Sequence, residues 1–141
     1  MQQGGALNWF SILKYSVILS FAQTAMGSLT TLFVGVDNLA FIALGNMIIY
    51  QYVPSVLVSI LVLVFYAKSQ VLHTFIHLLV TVLISSFFGF LAVSALLGEL
   101  YFSPTWFIDL PLAVIIILVA LFIGNRLRGI NEIATSQAHE I

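Results

Sequence analysis

From Phe10 to Asn125 the chain is almost free of charge, and that property restricts its fold more than any other. The Asp, Glu, Lys and Arg residues in this stretch are Lys14, Asp37, Lys68, Glu99 and Asp109. Between and around them lie four apolar stretches, at about residues 10–34, 39–67, 71–97 and 110–125. At ~1.5 Å per helical residue, stretches of this order match the ~30 Å hydrocarbon core of a bilayer. In hydrocarbon, backbone polar groups must be satisfied within a helix or a closed barrel, and four segments cannot close a barrel. The expected fold is therefore all-α: an integral membrane four-helix bundle over residues 1–126, followed by a polar tail at 127–141. Charged residues make up 6% of the chain, against roughly 25% in a soluble domain. Too few charges are present to clothe a surface facing water.

The breaks carry turn chemistry. Gly35-Val36-Asp37-Asn38 ends the first span, with Gly35 as C-cap and Asp37 or Asn38 capping the next helix. Span two is longer than a bilayer requires. It reads as one helix bent near Pro54, with a short outer piece from Leu39 to Gly45 and a span from Asn46 as the alternative. Lys68-Ser69-Gln70 is a short connection, so spans two and three are expected to be antiparallel neighbours, with Ser69 as N-cap. Gly98 to Ile108 reads as a loop whose Tyr101, Phe102, Trp106 and Phe107 form an interfacial belt. Asp109 is the expected N-cap of span four, and Pro111 then falls in the first turn. The two halves share neither polar pattern nor loop chemistry, so no internal repeat is expected.

With four spans, Lys14, Lys68, Arg126 and Arg128 all fall on one side, and Asp37, Glu99 and Asp109 on the other. The positive-inside rule then puts both termini in the cytoplasm. A three-span arrangement would split the basic residues across both faces. Met1 to Leu7 contains no Lys or Arg, and the apolar stretch after it is too long for a secretory signal. The compact chain without targeting signals is expected in a bacterial cytoplasmic membrane.

Several residues could carry chemistry. His73 and His77 are spaced i, i+4 and would share a helix face; two such imidazoles can ligate one metal. They cannot be the two axial ligands of one haem, and acidic ligands at mid-membrane are lacking. The competing reading is snorkelling to headgroups or a hydrogen bond to a neighbouring helix. Lys14 lies at similar depth and joins Lys68, Arg126 and Arg128 in a basic rim suited to anionic lipid. Ser16, Ser20, Gln23, Thr24, Ser28 and Thr31 recur every three or four residues along span one. Such a face should meet protein or a water-filled path, and Gln23 and Thr24 lie near mid-membrane. Ser85 with Gly89, and Ser94 with Gly98, are small-x-x-x-small pairs that permit close helix packing.

No cysteine is present, which removes disulfides, thiolate metal sites and thiol redox chemistry. A net charge of −1 argues against nucleic-acid binding. Span one has no acid of the kind small multidrug transporters use, and no intramembrane aspartate pair or serine–histidine site suggests a protease. No catalytic constellation, cofactor or metal site is expected. The first functional reading is a non-catalytic subunit or interaction protein, with the bilayer and a membrane protein or a second copy as partners. The alternative is a small oligomeric transporter or channel lined by Gln23, Thr24, Asn46 and Gln51. A second alternative is a quinone-, haem- or metal-associated module using His73 and His77. Orientation is checked by fusing alkaline phosphatase, active only when exported, to truncated chains in a bacterial host. Fusions after Gln70 and Ile141 should be inactive and a fusion after Glu99 active.

Overall fold

The computed structural model describes residues 7–35, 45 and 48–138, with side chains as far as Ile130. Asp37, Asn38, Asn46 and His139 lie outside the described residues, as does the beginning of span two. Among the described residues every regular element is helical, and four helices are long and apolar enough to cross a membrane.

Helix α1 spans Trp9–Val34. Asn8 caps it by accepting the Ser11 N–H at 3.1 Å. It ends at Gly35, whose φ of 81° favours glycine and whose N–H donates to the Thr31 carbonyl at 3.0 Å. Helix α2 spans Val53–Ser69 and continues a π-helical turn at Ile48–Tyr52. Pro54, with no N–H to return to the preceding turn, sits just after that wide turn. Helix α3 spans Thr74–Leu97 and ends at Gly98 in the left-handed region, with the Gly98 N–H bonded to the Ser94 carbonyl at 3.0 Å. Helix α4 spans Trp106–Ala138.

Three helix ends correct the sequence-based expectation. The cap of α3 is His73, held at φ 52°, and not Ser69, whose hydroxyl closes α2 on the Tyr66 carbonyl at 2.7 Å. Helix α4 begins at Trp106, so Trp106 and Phe107 belong to its first turn and not to a loop. Thr105 starts it: its carbonyl accepts the Asp109 N–H at 3.0 Å and its hydroxyl donates to the Asp109 carboxylate at 2.8 Å. Asp109 is therefore inside the helix, and Pro111 removes the N–H that would have met the Phe107 carbonyl. The helix also runs on through Arg126 and Arg128 into residues expected as tail.

Helix α1 runs parallel to α3. Ser16 meets Thr81 and Ser20 meets Ser85 at the same offset of 65 residues. Helix α2 is antiparallel to α1, since Ser11 meets Gln70, Tyr15 stacks on Tyr66 and Gln23 meets Ser59. Helix α4 follows α2 in parallel, with Tyr52 on Asp109 and Gln70 on Arg128. Around the bundle the order is thus α1, α2, α4, α3. Helices α2 and α3, expected to be neighbours, make little contact and lie on a diagonal. Four residues of extended chain reach ~13–14 Å, which is the diagonal of a square of helices 8–10 Å apart. Gln70–His73 therefore crosses the bundle instead of joining adjacent helices.

The closest approach is between α2 and α4. A Cβ placed on Gly124 would lie 2.5 Å from the Ala67 Cβ and 3.2 Å from the Lys68 nitrogen and the Val64 carbonyl oxygen. Ile12, Leu19, Leu63, Tyr66, Leu78, Ile117 and Ala120 form the core. The bundle interior uses little of the apolar surface: 11–22% of each apolar window is buried, so most of it faces outward. Replacing Gly124 with Val should destabilise the fold by about 1–3 kcal/mol through overpacking, read as a lower thermal midpoint in detergent. Gly89→Ala, where nothing lies within 4 Å of the new Cβ, should leave the monomer's midpoint unchanged.

Candidate functional site

Because the two hairpins lie side by side, all four helices contribute to one central cleft. Its volume is about 290 Å³. Gln23 and Leu19 come from α1, Ser55, Val56, Ser59 and Leu63 from α2, Val82, Ser85 and Ser86 from α3, and Asp109, Leu112, Ala113 and Ile116 from α4, with Tyr52 at the mouth. A second depression of about 280 Å³, lined by Gln51, Ser103 and Thr105, shares Tyr52, Ser55 and Asp109 with the first. The two adjoin, and the smaller is called the vestibule and the larger the chamber. At their junction the Tyr52 hydroxyl donates to Asp109 Oδ1 at 3.1 Å and ties α2 to α4. Asp109 Oδ2 accepts from Thr105 at 2.8 Å and from Ser103 at 3.4 Å.

Inside the chamber Gln23 Nε2 donates to Ser59 Oγ at 3.0 Å, and Ser59 donates to the Ser55 carbonyl at 2.6 Å. The hydroxyls of Ser16, Ser20 and Thr24 each bond back to the carbonyl four residues earlier. Those of Ser55 and Ser86 make no hydrogen bond among the described residues and line the chamber. The floor is apolar: Leu19, Leu63, Ile117 and Ala120 are at most 2% exposed. Beneath it the Ser16 hydroxyl shares the Ile12 and Thr81 carbonyls, at 2.8 and 3.2 Å. The hydroxyls of Tyr66 and Thr81 are buried there side by side, with Ser11 close to the Tyr66 hydroxyl.

The residues singled out from sequence separate into distinct roles. Gln23 and Thr24 are both exposed; Gln23 lines the chamber and also the outer groove that Thr24 borders. Ser16 and Ser20 form the hydrogen-bonded seam with α3, so the polar stripe of α1 splits between two neighbours and the exterior. His73 and His77 do not share a ligand face, because His73 is the left-handed cap residue and exposed. His77 is 4% exposed, its Nε2 accepts the Asn8 N–H at 3.2 Å, and its Nδ1 lies 3.0 Å from the His73 carbonyl. An acceptor at Nε2 requires the proton on Nδ1, so both ring nitrogens of a neutral imidazole are used. Lys14 is exposed. It shares one end of the bundle with Lys68, Arg126 and Arg128, and the Arg128 guanidinium donates to the Gln70 carbonyl and, at 3.1 Å, to Asn125 Oδ1.

Among the small residues named as packing pairs, Ser85 meets the Ser20 hydroxyl at 2.9 Å. A Cβ at Gly89 or Gly98 would meet nothing within 4 Å among the described residues, and Ser94 and Gly98 lie at the end of α3, where the Gly98 N–H bonds the Ser94 carbonyl. Gly124 is the close-approach glycine. Its signal in the sequence is Ala120-x-x-x-Gly124, a small pair on the same helix face. Tyr52, Ser55, Ser59 and Ser86 are the chamber residues that sequence reasoning left out, and Asp109 was expected as a helix cap and outer-side acid. Ser55 and Ser59, four apart on an apolar helix, were the available clue. Among the described residues no three His, Asp or Glu side chains group to hold a metal. No protein-family model matches the chain, and no curated protein or solved structure is detectably similar to it.

Replacing His77 with Leu strands the Asn8 N–H and should cost about 1–3 kcal/mol, measured by thermal unfolding in detergent. His73→Gly, which removes a side chain at positive φ, should be neutral or slightly stabilising in the same measurement.

Proposed function

We propose that this chain is a small integral membrane protein that admits a polar solute to the centre of its own bundle from one face of the bilayer. The supporting observation is the central chamber, polar on its serine and glutamine walls, open past Tyr52 and Asp109, and floored by Leu19 and Leu63. Lipid is the solvent suited to an outer surface this apolar, since hydrocarbon does not penalise exposed Leu, Ile and Phe as water does. A hydroxyl lining a cleft in that setting needs a partner, and those of Ser55 and Ser86, which make no hydrogen bond among the described residues, are available to an incoming solute or water. The reading assigns the site no catalytic step: among the described residues it is lined by one carboxylate, held by three hydroxyls, and no second acid. Basic residues gathered at the opposite end favour both termini in the cytoplasm and a chamber that opens outward. The class is then a carrier or channel, in a bacterial cytoplasmic membrane, and passage requires the leucine floor to part.

A second reading, as an interaction subunit or self-associating protein, draws on the outside of the α1–α3 seam. There Val17, Phe21, Thr24, Phe88, Gly89 and Ala92 border a groove of about 330 Å³. Gly89 leaves it shallow enough for another helix.

The chain lacks cysteine, so single cysteines test the chamber directly. In sealed vesicles Ser55→Cys and Ser86→Cys should react with a membrane-impermeant thiol reagent from one face only, and Leu61→Cys, which points outward, should not. Failure of both chamber positions to react from either face, in folded protein, overturns the solute-chamber reading.

A further inference from the structure

The chamber's chemistry also constrains what enters it. Among the described residues Asp109 is the charged side chain lining the chamber, and its partners there are the neutral hydroxyls of Tyr52, Ser103 and Thr105. Lys14, Lys68, Arg126 and Arg128 all belong to the far end of the bundle. These hydroxyls are neutral, so they give the carboxylate hydrogen bonds and no counter-charge. A bundle core beside an uncompensated negative charge attracts a cation, since charge interactions strengthen away from bulk water.

A metal ion suits the site poorly. Calcium takes six to eight oxygens and usually several carboxylates, and magnesium demands an octahedral set. Here a single carboxylate already engaged by hydroxyl protons faces walls of Val56, Leu112, Ala113 and Ile116. An alkylammonium fits both halves. Its N–H groups need acceptors, which Asp109 supplies together with the unbonded Ser55 hydroxyl. Its carbon chain needs the apolar wall. With Gln23 Nε2 spent on Ser59, the Gln23 carbonyl oxygen is left as a further acceptor deeper in the chamber. The volume of about 290 Å³ admits a body of a few carbons. Tyr52 already donates to Asp109 Oδ1, so an arriving N–H shares that carboxylate with its hydroxyl.

We propose that the chamber recognises the ammonium group of a small organic cation, with Asp109 as its counter-charge, Ser55 as second acceptor and the α2–α4 wall holding its alkyl part. This rests on the reading of the chamber as a solute site. The ammonium could come from a free amine or from an aminophospholipid headgroup, whose chemistry at Asp109 is the same.

The test uses the full-length protein in nanodiscs of phosphatidylglycerol, titrated with n-butylammonium, 1-butanol and butyrate, with binding followed by ligand-observed NMR against empty nanodiscs. Butylammonium should bind at least roughly tenfold more tightly than the isosteric alcohol, as expected for a charge-assisted hydrogen bond, and butyrate should not bind. Asp109→Asn, which keeps an acceptor for Tyr52, should abolish that preference with its thermal midpoint retained, and Asp109→Glu should restore part of it. Adding phosphatidylethanolamine identifies the source: competition points to the headgroup, and no competition to a free amine. Equal binding of butanol and butylammonium, or a preference unchanged in Asp109→Asn, overturns the ammonium assignment while leaving the chamber reading intact. No binding of any probe to protein whose Ser55→Cys and Ser86→Cys variants do react also overturns it. Loss of probe binding and of thiol reactivity together removes the chamber reading itself.

Discussion

The hydroxyl contact of Ser20 with Ser85, and of Ser16 with the Thr81 carbonyl, determines how the two helical hairpins lie on each other. Serine at these positions brings backbones close and gives each hydroxyl a partner on both helices. A one-residue slip of α3 along α1 would break both contacts together, so the offset is strongly specified. Once α1 and α3 are parallel in this register, α4 can reach only α2 and α3, and α2 and α3 are forced onto a diagonal. The glycine at 124 completes the arrangement by letting α4 press onto Ala67. The chamber follows from this geometry: tight contacts at the basic end, and a wider gap at the Asp109 end, where serines and alanine replace leucines.

Such a bundle needs little help from apolar burial. With 11–22% of each apolar window inside, the interior is a narrow column in which one apolar layer separates two polar layers from a third. Asp109, Tyr52 and Thr105 form the first layer, Gln23, Ser59 and Ser85 the second, Leu19, Leu63 and Ala120 the third, and Ser16, Thr81, Tyr66 and His77 the last. Interhelical hydrogen bonds among such groups are modest individually, at ~0.6 kcal/mol on average in one well-studied membrane bundle. Their value here is directional. They fix register and rotation, which apolar contact alone specifies loosely.

How much of this was legible in the sequence depended on whether a feature is local. The extent of α1 could be read because its apolar run ends in Gly35, and a cap is a short-range signal. The beginning of α4 could not, because Thr105 and Asp109 are both good capping residues, and the choice was made by Asp109 turning back to Thr105 and across to Tyr52. The polar stripe of α1 was visible, but a stripe does not say which neighbour each residue meets. Ser20 found α3, Gln23 found α2 and Thr24 found neither. The histidine spacing was read as a shared helical face, and that inference failed because His73 leaves the helix at φ 52°. The neighbour relation of α2 and α3 failed for a similar reason: a short link limits distance, and a diagonal lies within that limit.

The pairing pattern has a consequence for how the protein is made. Helix α2 can settle against α1 as soon as it is synthesised, through the Tyr15–Tyr66 stack, and α3 can then dock along the free serine face of α1. Until α4 is complete, however, Ser55, Ser59 and the Gln23 side chain have no wall opposite them, and the three-helix intermediate carries an open polar gutter along its length. Helix α4, which emerges after these three, thus supplies both a wall of this gutter and Asp109, the charged residue that lines it among the described residues. A chain truncated or altered in α4 would expose that gutter to the cell's quality-control proteases, so loss of the site and loss of the protein would be coupled.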